Sequence, residues 1–216
     1  MMKKVISFSL WGDNPKYCVG AVKNAALARI YYPQWVCRYH IGASTPKSYI
    51  EQLNAEPNTE LILKPEMGDW TGMFWRFEDA SDSSVDIMIS RDTDSRLNAR
   101  EAAAVEEWIN SDKIFHIMRD HPYPGTEILG GMWGVKNPHL SQMKCLIDEY
   151  RKGDFWQVDQ NFLKEKIWPI INMNYMSHDE YFEKCPWPLE RESNRFVGQA
   201  FEADDTLCVP EHARMI

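Results

Sequence analysis

The sequence predicts an α/β fold with a mainly parallel central sheet flanked by helices. Three observations carry this. Short apolar runs alternate with helix-length segments through the first half of the chain. Most of those segments bring their own start or stop signal. The apolar run Ile87-Met88-Ile89 ends in Ser90-Arg91-Asp92-Thr93-Asp94, which puts two carboxylates at a strand end, where open α/β sheets bind their ligands.

The N-terminus, Met1-Met2-Lys3-Lys4 followed by an apolar run, imitates a signal peptide. The run is too short, lacks a small-residue cleavage site and enters Gly12-Asp13-Asn14-Pro15, so residues 5–11 are read as a first strand. Asn14-Pro15 has the N-cap and N1 signature of a helix, which runs to about Tyr31 before Pro33. Residues 35–41 form a second strand, 46–53 a short helix and 60–63 a third strand. Thr71 is placed to cap a helix through Phe77, and the strand bearing the Asp pair follows. Asn98 and Glu101 make a capping box for a helix ending near Ile109, and 113–118 is another strand.

The second half is less regular. Residues 130–135, opening with Gly130-Gly131, read as a strand with close backbone packing. Asn137-Pro138 opens a helix with apolar positions Leu140, Met143, Ile147 and Tyr150. Asp154 caps a further helix ending before Pro169, with Gln157 at its third position. Loops follow from Met173, with a last strand at 195–201. With 216 residues and no repeat or linker, residues 1–216 are read as one domain.

A formal net charge of −8 without any Lys/Arg run argues against nucleic-acid binding, which needs a basic footprint. No segment is long enough to span a membrane. Five scattered cysteines without a Cys-x-x-Cys pair read as reduced thiols of an intracellular, cytoplasmic protein. An acidic protein that binds an anionic substrate must supply positive charge locally, from a metal or from arginines.

Side chains alternate along extended backbone, so Asp92 and Asp94 leave on the same side and make half of a divalent-cation site. The other reading is a solvated cap between strand and turn. The phosphatase-type Asp-x-Asp fits poorly, because that motif ends the first strand and has Thr or Val where Arg96 stands. Arg76, Arg91 and Arg96 are available to neutralise a diphosphate, with Arg76 preferred, since Arg91 alternates away from Asp92. Asp159 sits among Phe155, Val158, Phe162 and Leu163, an apolar stripe if helical; a carboxylate there is costly unless paired or used. The alternative is an acid that the helix dipole favours near a helix start. His116, Arg119, Asp120 and His121 cluster at another strand end.

The order of the first strand, Met73-Phe74-Trp75-Arg76-Phe77, Ser90-Arg91-Asp92-Thr93-Asp94-Ser95-Arg96, Gly130-Gly131-Met132-Trp133-Gly134, Asp159-Gln160 and His178-Asp179 resembles a GT-A-type glycosyltransferase. It especially resembles the small nucleotide-sugar transferase domains of chlorella viruses and their bacterial relatives, which implies a donor-binding half of about 1–97 and an acceptor-side half of about 98–216. The resemblance implies a GT-A-like (Rossmann-like) sheet, a nucleoside diphosphate donor such as a UDP-sugar, a Mn²⁺ or Mg²⁺ ion, and transfer of a hexose or deoxyhexose to a glycan hydroxyl. It implies Asp94 as main metal ligand, Asp92 near metal or ribose, and His178 as a late third ligand. It places Phe8, Ser9 and Trp11 against base and ribose; beside it, Trp133, set between glycines, is read as a sugar-facing wall, and Asp159 as the base of an inverting displacement. The alternatives are a retaining transferase, a nucleotide-sugar or glycan binding module without catalysis, and a metal-dependent phosphohydrolase.

Overall fold

The computed structural model describes residues 2–122, 126–150, 152–171, 174–210 and 212. Seven strands form one sheet in the order β3-β2-β1-β4-β6-β5-β7. β1 (Lys4–Leu10), β2 (Val36–Ile41), β3 (Thr59–Leu63), β4 (Ile87–Ser90), β5 (Phe115–Arg119) and β7 (Tyr175–Asp179) share one direction. β6 (Trp133–Lys136) runs against them between β4 and β5. The fold is thus α/β with a mainly parallel sheet, as the strand–helix alternation predicts.

The two-residue period of the strands divides the core. In β1, Ile6, Phe8 and Leu10 pack with Cys18, Ala21, Ala25 and Ala28 of helix α1 (Pro15–Tyr31). Val105 and Trp108 of α3 (Ala99–Ile109) join the same layer. Val5 and Met88 point to the opposite face, where Phe74 and Phe77 of a 3₁₀ helix (Trp70–Ser81) meet Trp133 and Phe162. Each such buried side chain contributes about 1.5–3 kcal/mol, so a one-residue slip of any central strand would invert both layers. α2 (Lys47–Ala55) adds Leu53 to the α1 side. Asn14 caps α1, its side chain accepting from the Lys16 backbone N–H at 3.0 Å, and Asn98 caps α3 by accepting from that of Glu101 at 2.9 Å.

The winding positions the site. The chain runs from β1 out to β2 and β3 on one side, then returns across β1 to β4 on the other. Such a reversal opens a crevice beyond the carboxyl ends of the two strands that flank it. Trp11 and Gly12 follow β1 there, and Asp92 and Asp94 follow β4.

Several expectations are corrected. The 3₁₀ helix is capped by Asp69, whose carboxylate accepts from the Thr71 backbone N–H at 2.8 Å, rather than by Thr71 itself. The helix expected to open at Asn137-Pro138 begins later, as α4 (Met143–Glu149). Asn137 instead donates from Nδ2 to the Val85 carbonyl (2.9 Å) and the Asp79 carbonyl (3.2 Å), stitching the end of β6 to the preceding layer. Asp154 is not a helix cap. Gln157, in the left-handed region at φ 68°, precedes α5 (Val158–Phe162). A π-helical turn (Leu163–Ile167) then leads into α6 (Trp168–Ile171), so the helical path runs past Pro169.

β7 lies where the sequence predicts loops. Its polar segment Tyr-Met-Ser-His-Asp shows no apolar alternation, and pairing with β5, from Phe115↔Tyr175 to Arg119↔Asp179, makes it a strand. Met173, where that loop region was placed to begin, lies outside the described residues. The last strand expected at 195–201 reduces to a single bridge, Phe201↔Leu207. Among the described residues no helix is long and apolar enough to cross a membrane.

Candidate active site

Beyond the carboxyl ends of β1 and β4 lies a cavity of about 750 Å³, within the range of small-molecule sites. Its described lining includes seven aspartates, one arginine and no lysine.

The turn after β4 is fastened from α1. Asn24, fully buried, donates from Nδ2 to the Thr93 carbonyl (3.2 Å) and the Ser95 carbonyl (2.9 Å), while its Oδ1 accepts from the Leu97 backbone N–H (3.1 Å). Gly20, one turn earlier, lets α1 lie directly on the turn: a Cβ there would overlap the Thr93 carbonyl oxygen. Ser95 Oγ donates to the Asp92 carbonyl at 2.8 Å, and the Phe201 backbone N–H to the Asp94 carbonyl at 2.8 Å. The Asp-x-Asp turn therefore has little freedom, and both carboxylates line the cavity.

Arg76, from the 3₁₀ helix, bridges two carboxylates. One guanidinium nitrogen pairs with Asp92 and the other with Asp159 Oδ2 at 2.8 Å. Ser9 Oγ holds the backbone of that segment by accepting from the Arg76 N–H at 3.0 Å. Gly130 and Gly131 make room for the cluster. A Cβ on Gly131 would collide with the Asp92 carboxylate, and one on Gly130 with Arg76 Nη2 and Asp159 Oδ2, both at 2.7 Å. Asp159 stands in the first turn of α5, and its Oδ1 accepts from the Gln160 backbone N–H at 2.9 Å.

Burial pushes the Asp94 carboxyl above the usual carboxylate range, and the Asp92 charge adds to this; the Lys16 ammonium, 2.8 Å from Asp94 Oδ2, opposes it. Burial likewise raises Asp159, with Asp92 adding to the effect and Arg76 opposing it. Burial alone would lower Lys16, but Asp94 beside it reverses the sign and raises it. Carboxylates that hold their protons to a higher pH in one cavity are a common feature of functional sites.

The structure brings Ser9, Trp11, Arg76, Asp92, Asp94 and Asp159 together at this cavity, with Asp120 and His121 also on its wall. It does not bring three of the expected residues. Phe8 is fully buried on the α1 side, its ring stacked on Tyr39 at 4.8 Å, because the alternation of β1 that turns Ser9 toward the 3₁₀ helix turns Phe8 away. Trp133 is fully buried, 5.6 Å from the Phe77 ring, and forms core rather than a sugar-facing wall. His178 is buried on β7, where its Nδ1 shares a 2.8 Å hydrogen bond with His116 Nε2 and its ring meets Trp187. Burial lowers the pKa of both histidines. Two strands, β6 and β5, lie between β4, which leads to Asp94, and the edge strand β7, which carries His178. Arg91 faces away from the cavity, donating to Glu101 Oε1 at 2.6 Å, and Arg96 pairs with Asp205 at 2.9 Å.

Asn24, Gly20 and Lys16 are absent from the sequence reading. The Gly20-x₃-Asn24 spacing on one helix face was the available signal, and it is common in ordinary packed helices.

The donor set suits a hard divalent cation: two carboxylates line one cavity, and one of them is raised by burial and then by its neighbour's charge. Among the described residues no group of three or more His, Cys, Asp or Glu forms a complete metal-binding cluster. Magnesium-type ions ordinarily complete such sites with water and substrate phosphates.

No protein-family model and no curated protein matches the sequence. Solved structures do match in fold. A glycosyltransferase involved in the glycosylation of the major capsid of PBCV-1 is 17% identical over 85% of this chain and 84% of its own, with a TM-score of 0.53. A mannosyltransferase from Pyrobaculum calidifontis, solved in complex with GDP-Man and Mn²⁺, is 15% identical over 83% of this chain and 55% of its own, with a TM-score of 0.53. A 4-diphosphocytidyl-2C-methyl-D-erythritol synthase from Anaerococcus prevotii is 7% identical over 86% of this chain and 92% of its own, at 0.51. At these identities the likeness is one of fold, and the fold is the GT-A-like one that the sequence resemblance implies.

Proposed function

We propose that the protein is a metal-dependent glycosyltransferase that moves a hexose or deoxyhexose from a nucleoside diphosphate donor, such as a UDP-sugar, to a glycan hydroxyl. The observation that carries this reading is the convergence of Asp92, Asp94, Arg76 and Asp159 at one cavity beyond β1 and β4. A cavity lined by seven aspartates repels a diphosphate unless a cation is supplied.

In this reading Asp94 and Asp92 hold a Mn²⁺ or Mg²⁺ ion. When bound, such an ion stabilises the charge that develops on the departing diphosphate. Ser9 and Trp11 face the nucleoside, and Trp11 is held against Gly68 and Gly72 with its ring edge-on to Trp75 at 6.0 Å. Arg76 orients the Asp159 carboxylate through Nη2. Asp159 accepts the proton of the acceptor hydroxyl as that oxygen attacks the anomeric carbon from the side opposite the leaving group, giving inversion. Burial keeps this base from being solvated, and its raised pKa makes it a better proton acceptor than an exposed aspartate.

The test is a panel of nucleotide-sugars with nucleoside diphosphate release as readout, with and without Mn²⁺. Asp94→Ala is expected to lower turnover by about 10²-fold or more, since charge stabilisation by the ion is worth several kcal/mol. Full activity of that variant, or indifference to EDTA, overturns the metal mechanism. Because a 4-diphosphocytidyl-2C-methyl-D-erythritol synthase shares the fold, pyrophosphate release from a nucleoside triphosphate and a sugar phosphate would overturn the transfer reading.

A further inference from the structure

Two tryptophans of the cavity lining stand exposed. Trp156 is 67% exposed and Trp70 43% exposed, and both line the cavity. Tryptophan ordinarily buries most of its ring, so two exposed rings beside one site call for a ligand. Their segments are tied together: the Trp70 backbone N–H donates to Asp154 Oδ1 at 2.8 Å, two residues before Trp156. Trp156 precedes Asp159 by three residues, and Gln157 turns the chain between them through the left-handed region.

We propose that Trp70 and Trp156 form an aromatic platform that binds a pyranose ring of the acceptor, and that the acceptor is an uncharged saccharide. The inference rests on the glycosyltransferase reading and names its acceptor class. A flat apolar ring face matches the C–H face of a pyranose, while carboxylates at its edge accept hydrogen bonds from sugar hydroxyls. Asp69 and Asp154 supply those carboxylates and line the same cavity. The same charges repel a phosphorylated or sulfated acceptor and an anionic lipid surface. Asp92 and Asp94 mark the diphosphate end; Trp156 lies on the segment that delivers Asp159, while Trp70 joins it from the segment whose Gly68 and Gly72 pack against Trp11, so Trp156 is the ring that marks the acceptor. A ring seated there presents its hydroxyls toward the carboxylate that must take a proton.

Wild type, Trp156→Ala and Trp156→Phe are applied to an array of neutral and anionic oligosaccharides, and UDP with Mn²⁺ is titrated into the same three proteins by calorimetry. Because Trp156 is exposed, its variants keep the wild-type circular dichroism. Wild type is expected to retain neutral oligosaccharides. Trp156→Ala weakens that binding at least tenfold, about 1.4 kcal/mol, Trp156→Phe keeps most of it, and UDP binds all three alike. The platform is overturned if Trp156→Ala binds the neutral saccharides as well as wild type, if anionic glycans are preferred, if no saccharide binds wild type, or if Trp156→Ala loses UDP. Saccharide binding that depends on Trp156, with no UDP binding to any of the three, supports the platform and overturns the donor reading.

Discussion

Asp94 and Asp159 reach the same cavity by different means. The turn bearing Asp94 is held through its backbone: Asn24 grips three main-chain groups, Gly20 allows α1 to touch Thr93, and Phe201 caps the Asp94 carbonyl. These bonds do not change when a carboxylate gains a proton. Asp159 stands on the five-residue α5, and its side chain is oriented by an ion pair with Arg76. Its placement therefore depends on charge. The Asp94 turn is fixed through its backbone, with Lys16 added at the carboxylate, whereas the Asp159 side chain is placed chiefly by charge.

The comparison breaks most sharply at Arg76. Arg76→Ala leaves Asp92 and Asp159 without their shared counter-ion, and removing one partner from a buried ion pair costs about 3–5 kcal/mol. Urea denaturation at neutral pH checks this. A loss below about 1 kcal/mol would mean that the pair behaves as a solvated one and that Asp159 is held by its helix alone.

A smaller effect is expected on the opposite side. Gly20→Ala improves helix propensity by about 1 kcal/mol, yet its Cβ overlaps the Thr93 carbonyl, a backbone atom with nowhere to go. A net loss of about 1–3 kcal/mol is expected from overpacking, together with weaker Mn²⁺ binding measured by calorimetry. A net gain in stability would show that the turn can shift and is not fixed.

The smallest effect sharpens the contrast through pH. Folded Asp159 and Asp94 hold protons to a higher pH than an unfolded aspartic acid, near ~3.9. In that window the folded state binds more protons than the unfolded one. This contribution to stability is fully present below the unfolded value and is lost as pH rises through the folded values. Asp159→Asn stays uncharged throughout, so its stability relative to wild type should rise from acid toward neutral pH. Denaturant midpoints at a series of pH values read this directly. A flat difference would show that Arg76 cancels the burial effect at Asp159.

The first half of the fold was legible because its signals are local. Asn14-Pro15 and the Asn98/Glu101 box act within a turn of the helices they start, and the apolar runs of β1, β2 and β4 are buried on both faces, so no partner is needed to recognise them. β7 was illegible because five residues without apolar alternation become a strand only through the β5 edge they pair with. The final strand expected at 195–201 failed for the reverse reason: its composition suits a strand, but only Phe201 finds a partner.

The candidate site divides in the same way. Sequence alone put two carboxylates just beyond the end of an apolar strand and set Asp159 beside Val158 and Phe162, because these follow from local order along the chain. It could not say which face of β1 meets the cavity, and so it joined Phe8 to Ser9. It could not see that β6 buries Trp133, or that β7 takes His178 to the edge of the sheet. Only the tertiary structure decided that Arg76 stands between Asp92 and Asp159, that Asn24 and Gly20 clasp the turn, and that Trp70 and Trp156 line one cavity. The physical reason is that chain periodicity specifies which side chains share a face, while strand order and register specify what that face meets.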